Sequence, residues 1–191
     1  QRKIVELDEL LSVVAAARAA GKTIVQCHGC FDIVHPGHIR YLEFARQQGD
    51  ILIVSVTGDL EVSKGDARPY IPQQFRAENL AALMFVDYVC INTAPTAEGI
   101  LARIKPDVYV KGREYERSAD PGFLAEKAVV EGYGGRIIFS GGEIVFSGSQ
   151  EEFRGNPRSL TARYLTGRET IPIPIQRRTP RRWLTLLGAR E

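Results

Sequence analysis

Sulfur is scarce in this chain: three cysteines and one methionine in 191 residues. An odd cysteine count at that density excludes a disulfide-stapled secreted scaffold. No apolar run approaches the roughly 20 residues that cross a bilayer as a helix. The first residues, Gln-Arg-Lys-Ile-Val-Glu-Leu-Asp-Glu, lack a signal-peptide pattern. The cytoplasm is therefore the expected compartment, and no membrane partner is expected. A G-x-x-x-x-G-K-[ST] segment is missing as well, which removes a P-loop route to ATP. What remains is 44% hydrophobic and 25% charged, the make-up of an ordinary globular protein long enough for a well-buried core.

Histidine is equally sparse, with three residues, but all fall within eleven positions: His28, His35 and His38. An apolar stretch, Ile24-Val-Gln-Cys27, precedes them, and a helix-like stretch, Ile39-Arg-Tyr-Leu-Glu-Phe-Ala-Arg46, follows. His35-Pro-Gly-His38 thus belongs at a strand-to-helix turn. Unpaired backbone N–H groups and the positive end of the helix dipole converge there and favour phosphate. Gly37 lets the backbone approach a ligand, and Pro36 restricts entry into the helix. Two imidazoles at such a turn point to stabilisation of a phosphate whose charge shifts during phosphoryl or nucleotidyl transfer.

The surrounding pattern supports an α/β fold. Leu7, Leu10, Leu11 and Val14 recur at helical spacing, with Gly21 closing the first helix. Strand-like runs lie at 23–27, 51–56, 87–91, 107–110 and 136–139, with helix-like segments near 37–48, 73–84, 96–103 and 121–132. The strands read as apolar throughout, as in a parallel sheet covered on both faces. This alternation predicts a doubly wound parallel sheet whose site opens at the carboxyl ends of the strands. His28–His38, Thr57–Pro72 and Lys111–Tyr115 all follow strands at that edge.

After Phe146 arginine, proline and threonine become frequent, and Ile171-Pro-Ile-Pro-Ile175 reads as extended. Residues 150–191 carry nine arginines against four glutamates, while residues 1–149 hold the remaining 16 basic and 19 acidic side chains. Such runs are mostly solvated surface, so nucleic acid is not an expected partner. The expected division is a domain at 1–147 and a mostly irregular basic extension at 148–191.

Gly29-Cys-Phe-Asp-Ile-Val-His-Pro-Gly-His38 resembles the G-x-F-D-x-x-H-x-G-H block of the cytidylyltransferase-like nucleotidyltransferase superfamily. Further blocks narrow the likeness: Lys64-Gly-Asp-Ala-Arg-Pro69, Arg76-Ala-Glu-Asn-Leu-Ala-Ala-Leu83 with Val86-Asp87, Lys105-Pro-Asp-Val-Tyr-Val-Lys-Gly112 and Gly134-Gly-Arg-Ile-Ile-Phe139. Together they look like the adenylyltransferase domain of bacterial heptose-1-phosphate enzymes, over about residues 3–147. The resemblance implies a Rossmann-like sheet, a homodimer, and transfer of a nucleotidyl group from ATP to a sugar 1-phosphate, releasing pyrophosphate. It implies Mg²⁺ with the nucleotide, and leaves a cytidylyltransferase acting with CTP on another phosphorylated small molecule as the alternative.

By position, the resemblance implies that His35 and His38 hold the triphosphate and stabilise the transition state. Gly29, Cys30, Phe31, Asp32 and Gly37 form the turn around them. Lys64 would reach phosphate, Arg76 would support the site, and Lys111 and Gly112 would lie beside base or substrate. Glu114 stands where relatives commonly carry an acidic residue, often aspartate. Relatives continue after the Phe146-like strand with Ser-Ser-Thr, whereas this chain has Ser147-Gly-Ser149 as the candidate phosphate hydroxyls. Cys27-x-x-Cys30 lacks a second ligand pair and reads as small buried side chains, as does Cys90.

From about residue 141 the wording changes again. Gly141-Gly-Glu-Ile-Val-Phe-Ser-Gly-Ser-Gln-Glu-Glu-Phe153, Ser159-Leu-Thr-Ala-Arg-Tyr-Leu-Thr-Gly-Arg168 and Trp183-Leu-Thr-Leu-Leu-Gly-Ala-Arg-Glu191 resemble the junction between the two ATPase halves of the excinuclease family of DNA-repair ABC proteins. That likeness implies a fused fragment. It adds two rival expectations, a weakened enzyme and a DNA-repair-associated binding module.

Overall fold

A computed structural model describes residues 3–62, 68–141, 150–155, 163 and 166–169. The first helix, α1, runs Leu7–Ala19, and the chain reverses at Gly21, whose φ of +71° suits glycine. Strand β1 (Ile24–Gly29) leads into α2 (Pro36–Arg46), and β2 (Ile51–Thr57) into a short 3-10 turn at Asp59–Glu61. Helix α3 is Gln73–Ala81, β3 is Tyr88–Asn92, α4 is Glu98–Ile104 and β4 is Val108–Gly112. A second 3-10 turn (Arg113–Tyr115), α5 (Pro121–Gly132) and β5 (Arg136–Ser140) complete the order.

The five strands form one parallel sheet in the order β3-β2-β1-β4-β5. The direction of winding reverses between β1 and β4, and ligands of doubly wound sheets bind outside that switch point. The expected fold class is therefore the observed one. Val25, Cys27, Val54, Val56 and Val110 pack against Leu42 of α2 and Leu80 of α3. Ile24, Ile53 and Tyr109 pack on the other face with Leu10 of α1 and Leu101 of α4.

Three details depart from the sequence expectations. Helix α3 ends at Ala81 rather than near residue 84, because Leu83 and Val86 turn inward onto the core and leave Met84 91% exposed. The strands are not apolar throughout: Gln26 of β1 and Ser55 of β2 are fully buried and bonded to each other. The N-terminal segment also pairs with β3, where Val89 N–H donates to Lys3 and Val5 N–H to the Val89 carbonyl.

The chain divides into two compact units, 1–142 and 143–191. Within the second, α6 spans Gln150–Gly155, and Arg163 pairs with Glu169 at 2.9 Å. Among the described residues, no helix is long and apolar enough to cross a membrane.

Candidate active site

The turn from β1 into α2 is built by its own side chains. His35 is the helix N-cap, and its Nδ1 accepts the Gly37 N–H at 3.1 Å. With Nδ1 accepting there, Nε2 is the ring position left for a donor. Pro36 occupies the first helical position, where a missing N–H costs nothing. A Cβ on Gly37 would lie 2.8 Å from the His35 ring, so the cap needs glycine. The His35 and His38 rings stack with centroids 3.9 Å apart, and Phe31 meets His38 edge-on at 5.3 Å. Phe31 holds φ +49°, uncommon for an aromatic residue, and its ring lies against Gly29, where a Cβ would be 3.2 Å away.

Asp32 fixes the far side of the turn. It accepts the Ile71 N–H at 2.9 Å and Arg68 Nη1 at 2.6 Å, and Arg68 in turn stacks 4.0 Å above the Tyr70 ring. Burial alone would raise the Asp32 carboxyl, but the Ile71 N–H and the Arg68 guanidinium outweigh it and hold the group at about 2. This pair ties the segment after residue 67 to the histidine turn.

Arg76 is fully buried, and its donors are spent within the protein. Nε donates to the Ile71 carbonyl at 2.8 Å and Nη2 to Thr57 O at 2.8 Å and to Asp59 Oδ1 at 2.6 Å, while Nη1 donates to the Cys30 carbonyl. The guanidinium thus joins the ends of β1 and β2 from behind the site. Lys111 is likewise enclosed. Its ammonium pairs with Glu126 Oε2 at 2.9 Å and lies over the rings of Tyr115 at 4.3 Å and Phe123 at 5.7 Å. Tyr109 donates to the same Glu126 oxygen at 2.9 Å. The Glu114 carboxylate folds back against Gly112, where a Cβ would collide with it.

On the other side of β1, His28 Nδ1 meets Ser55 Oγ at 2.9 Å and His28 Nε2 lies 3.4 Å from Thr57 Oγ1. Burial, reinforced by the Lys111 charge and partly opposed by the Ser55 contact, pushes His28 down to about 4. Burial raises the Cys27 thiol to about 12, which fits the expected inert core cysteine.

The structure therefore brings Gly29, Cys30, Phe31, Asp32, His35, Gly37 and His38 together. It sets Arg76 behind them and Lys111, Gly112 and Glu114 at the neighbouring end of β4. Lys64, Ser147 and Ser149 lie outside the described residues. Sequence reasoning missed Asp59, Arg68 and Glu126. Glu126 had a visible signal: a carboxylate between Phe123 and Val130 on the buried face of α5. Among the described residues no group of three or more His, Cys, Asp or Glu side chains could hold a metal. Asp32 and Asp59 are already committed to arginines, so the chain does not fit a resident Mg²⁺ site there.

The comparisons agree with this geometry. The chain is 42% identical over 137 residues to the bifunctional protein HldE of Geobacter metallireducens, and 44% identical over 139 residues to that of Pseudomonas fluorescens. These matches cover 71% and 72% of this chain but 27% and 28% of the relatives, so the chain spans about a quarter of their length. A solved lipopolysaccharide core biosynthesis protein from Thermoplasma volcanium is 27% identical with a TM-score of 0.50, over 62% of this chain and 94% of that one. A pantoate-beta-alanine ligase from Francisella tularensis shares the fold, with a TM-score of 0.53 at 15% identity over 73% of this chain and 67% of that one. The family model that matches residues 26–139 spans β1 to β5, including the whole histidine turn, and by that match the chain belongs to the cytidylyltransferase-like family.

Proposed function

We propose that the chain is a nucleotidyltransferase that moves the nucleotidyl group of ATP onto a sugar 1-phosphate of the heptose type. The observation that carries this reading is the close His35–His38 pair, ring centroids 3.9 Å apart, at the first turn of α2, where the positive end of the helix dipole favours phosphate. A phosphate oxygen of the sugar attacks the α-phosphorus of the nucleotide, the bond to the β-phosphate breaks, and pyrophosphate leaves. No covalent enzyme intermediate is required. The His35 and His38 imidazoles stabilise the charge that gathers on the phosphate oxygens.

Each neighbour has a part in holding that arrangement. Phe31 backs the His38 ring, Asp32 and Arg68 pin the loop, and Arg76 locks the strand ends behind it. Lys64, Ser147 and Ser149 keep the phosphate-binding roles implied by resemblance. Mg²⁺ enters with the nucleotide phosphates rather than through a carboxylate cage. A homodimer in the cytoplasm, with 1–147 as the catalytic domain, completes the proposal.

The test is pyrophosphate release across ATP and CTP with a panel of sugar 1-phosphates. Release that needs both ATP and a heptose 1-phosphate supports the reading. Preference for CTP would move the assignment to a cytidylyltransferase, and no release with any pair would refute transfer.

A further inference from the structure

His28 is the histidine that the transfer reading leaves unused. Side chains alternate faces along a strand. Because Ile24 and Ile53 pack on the α1/α4 face, Gln26, His28, Ser55 and Thr57 share that face. The His35–His38 turn leads into α2, which packs on the opposite face. Two polar surfaces therefore flank the carboxyl end of β1.

The surface bearing His28 is built in depth. Gln26 Nε2 donates to Ser55 Oγ at 3.0 Å, the same hydroxyl meets His28 Nδ1 at 2.9 Å, and Thr57 Oγ1 follows at 3.4 Å from His28 Nε2. Gln26 and Ser55 are fully buried, whereas His28 and Thr57, nearer the strand ends, are partly exposed. Gln26 Oε1 is buried with no hydrogen-bond partner. A buried acceptor of this kind is the usual partner of an ordered water.

In-line displacement needs the attacking and leaving oxygens on opposite sides of phosphorus. The histidine turn supplies one side. The His28–Thr57 edge supplies neutral groups that both donate and accept, which complements hydroxyls better than a triphosphate. We propose that Thr57 forms the acceptor subsite, its hydroxyl hydrogen-bonding a ring hydroxyl of a sugar phosphate, with His28, Ser55 and Gln26 as positioning residues that orient it from behind. This deepens the transfer reading and rests on it.

The test compares the full chain with Thr57→Val and His28→Leu, using heptose 1-phosphate and ATP as probes and thermal melting to confirm folding. Thr57→Val keeps the backbone carbonyl that serves Arg76. The KM for heptose 1-phosphate should rise roughly 3- to 10-fold in each variant, the effect of one lost hydrogen bond. The KM for ATP should stay within about twofold, and Thr57→Ser should restore most of the loss. Equal rises in both KM values, or none in either, would overturn the subsite. Titration of heptose 1-phosphate into wild type and Thr57→Val reads binding without turnover. Weaker binding by the variant supports the subsite, and equal or absent binding by both overturns it. Sugar binding without pyrophosphate release from wild type would refute transfer and leave the subsite standing.

Discussion

Replacing Arg76 with alanine removes hydrogen bonds to Ile71, Cys30, Thr57 and Asp59 in one step. The guanidinium is fully buried, while its partner Asp59 has a side chain 38% exposed. Removing one member of a buried ion pair costs about 3–5 kcal/mol. Water can reach Asp59 and lessen that cost, but the three carbonyls lose their donor and raise it again. We expect a net loss of about 4 kcal/mol, with melting lowered by roughly 8–16 °C for a domain of this size. Arg76→Lys should keep most of the deficit, since an ammonium cannot reproduce the planar fork. The assay is thermal and urea unfolding beside the KM for ATP. A variant that melts within about 2 °C of wild type but binds ATP poorly would show that Arg76 faces ligand, refuting its place behind the site.

Other consequences concern charge. Between pH 6.5 and about 4 the unfolded chain binds a proton on His28 that the folded chain refuses, so stability falls as pH drops through that window. The contribution is about 3 kcal/mol when complete, and His28→Gln should flatten this limb of a pH–stability curve. Asp32 behaves in the opposite sense to a raised carboxyl: its stabilisation is present above the usual carboxylate range and fades only as pH falls toward 2. Lys111→Met and Glu126→Gln should each cost about 3–5 kcal/mol, since each strands a buried partner. The double variant should cost less than the sum, as read from a denaturant double-mutant cycle; strict additivity would show that the 2.9 Å pair is not coupled.

Local features were legible in the sequence, and long-range ones were not. His35-Pro-Gly-His38 reads as a helix N-terminus because cap, proline and glycine lie within four residues. Strand β1 continues to Gly29, beyond the expected end at 27, because its ladder with β2 runs on to the Gly29–Val56 pair. The polarity of His28 and Gly29 hides that pairing, which depends on a neighbouring strand. Arg76–Asp59 and Arg68–Asp32 bring together residues 17 and 36 positions apart, and no local period announces either pair. The block around Lys111 carries no local sign of the groups that surround its side chain. The structure shows its ammonium closed in by Glu126 and aromatic rings, a setting created by α5 packing on β4.

The central claim is that nucleotidyl transfer occurs at the His35–His38 turn. The most direct measurement is pyrophosphate release from ATP and heptose 1-phosphate by wild type and by His38→Ala with unchanged melting. The account predicts a loss in kcat of about 100-fold or more, the scale of removing one preorganised transition-state donor. Equal release by the two proteins would contradict it.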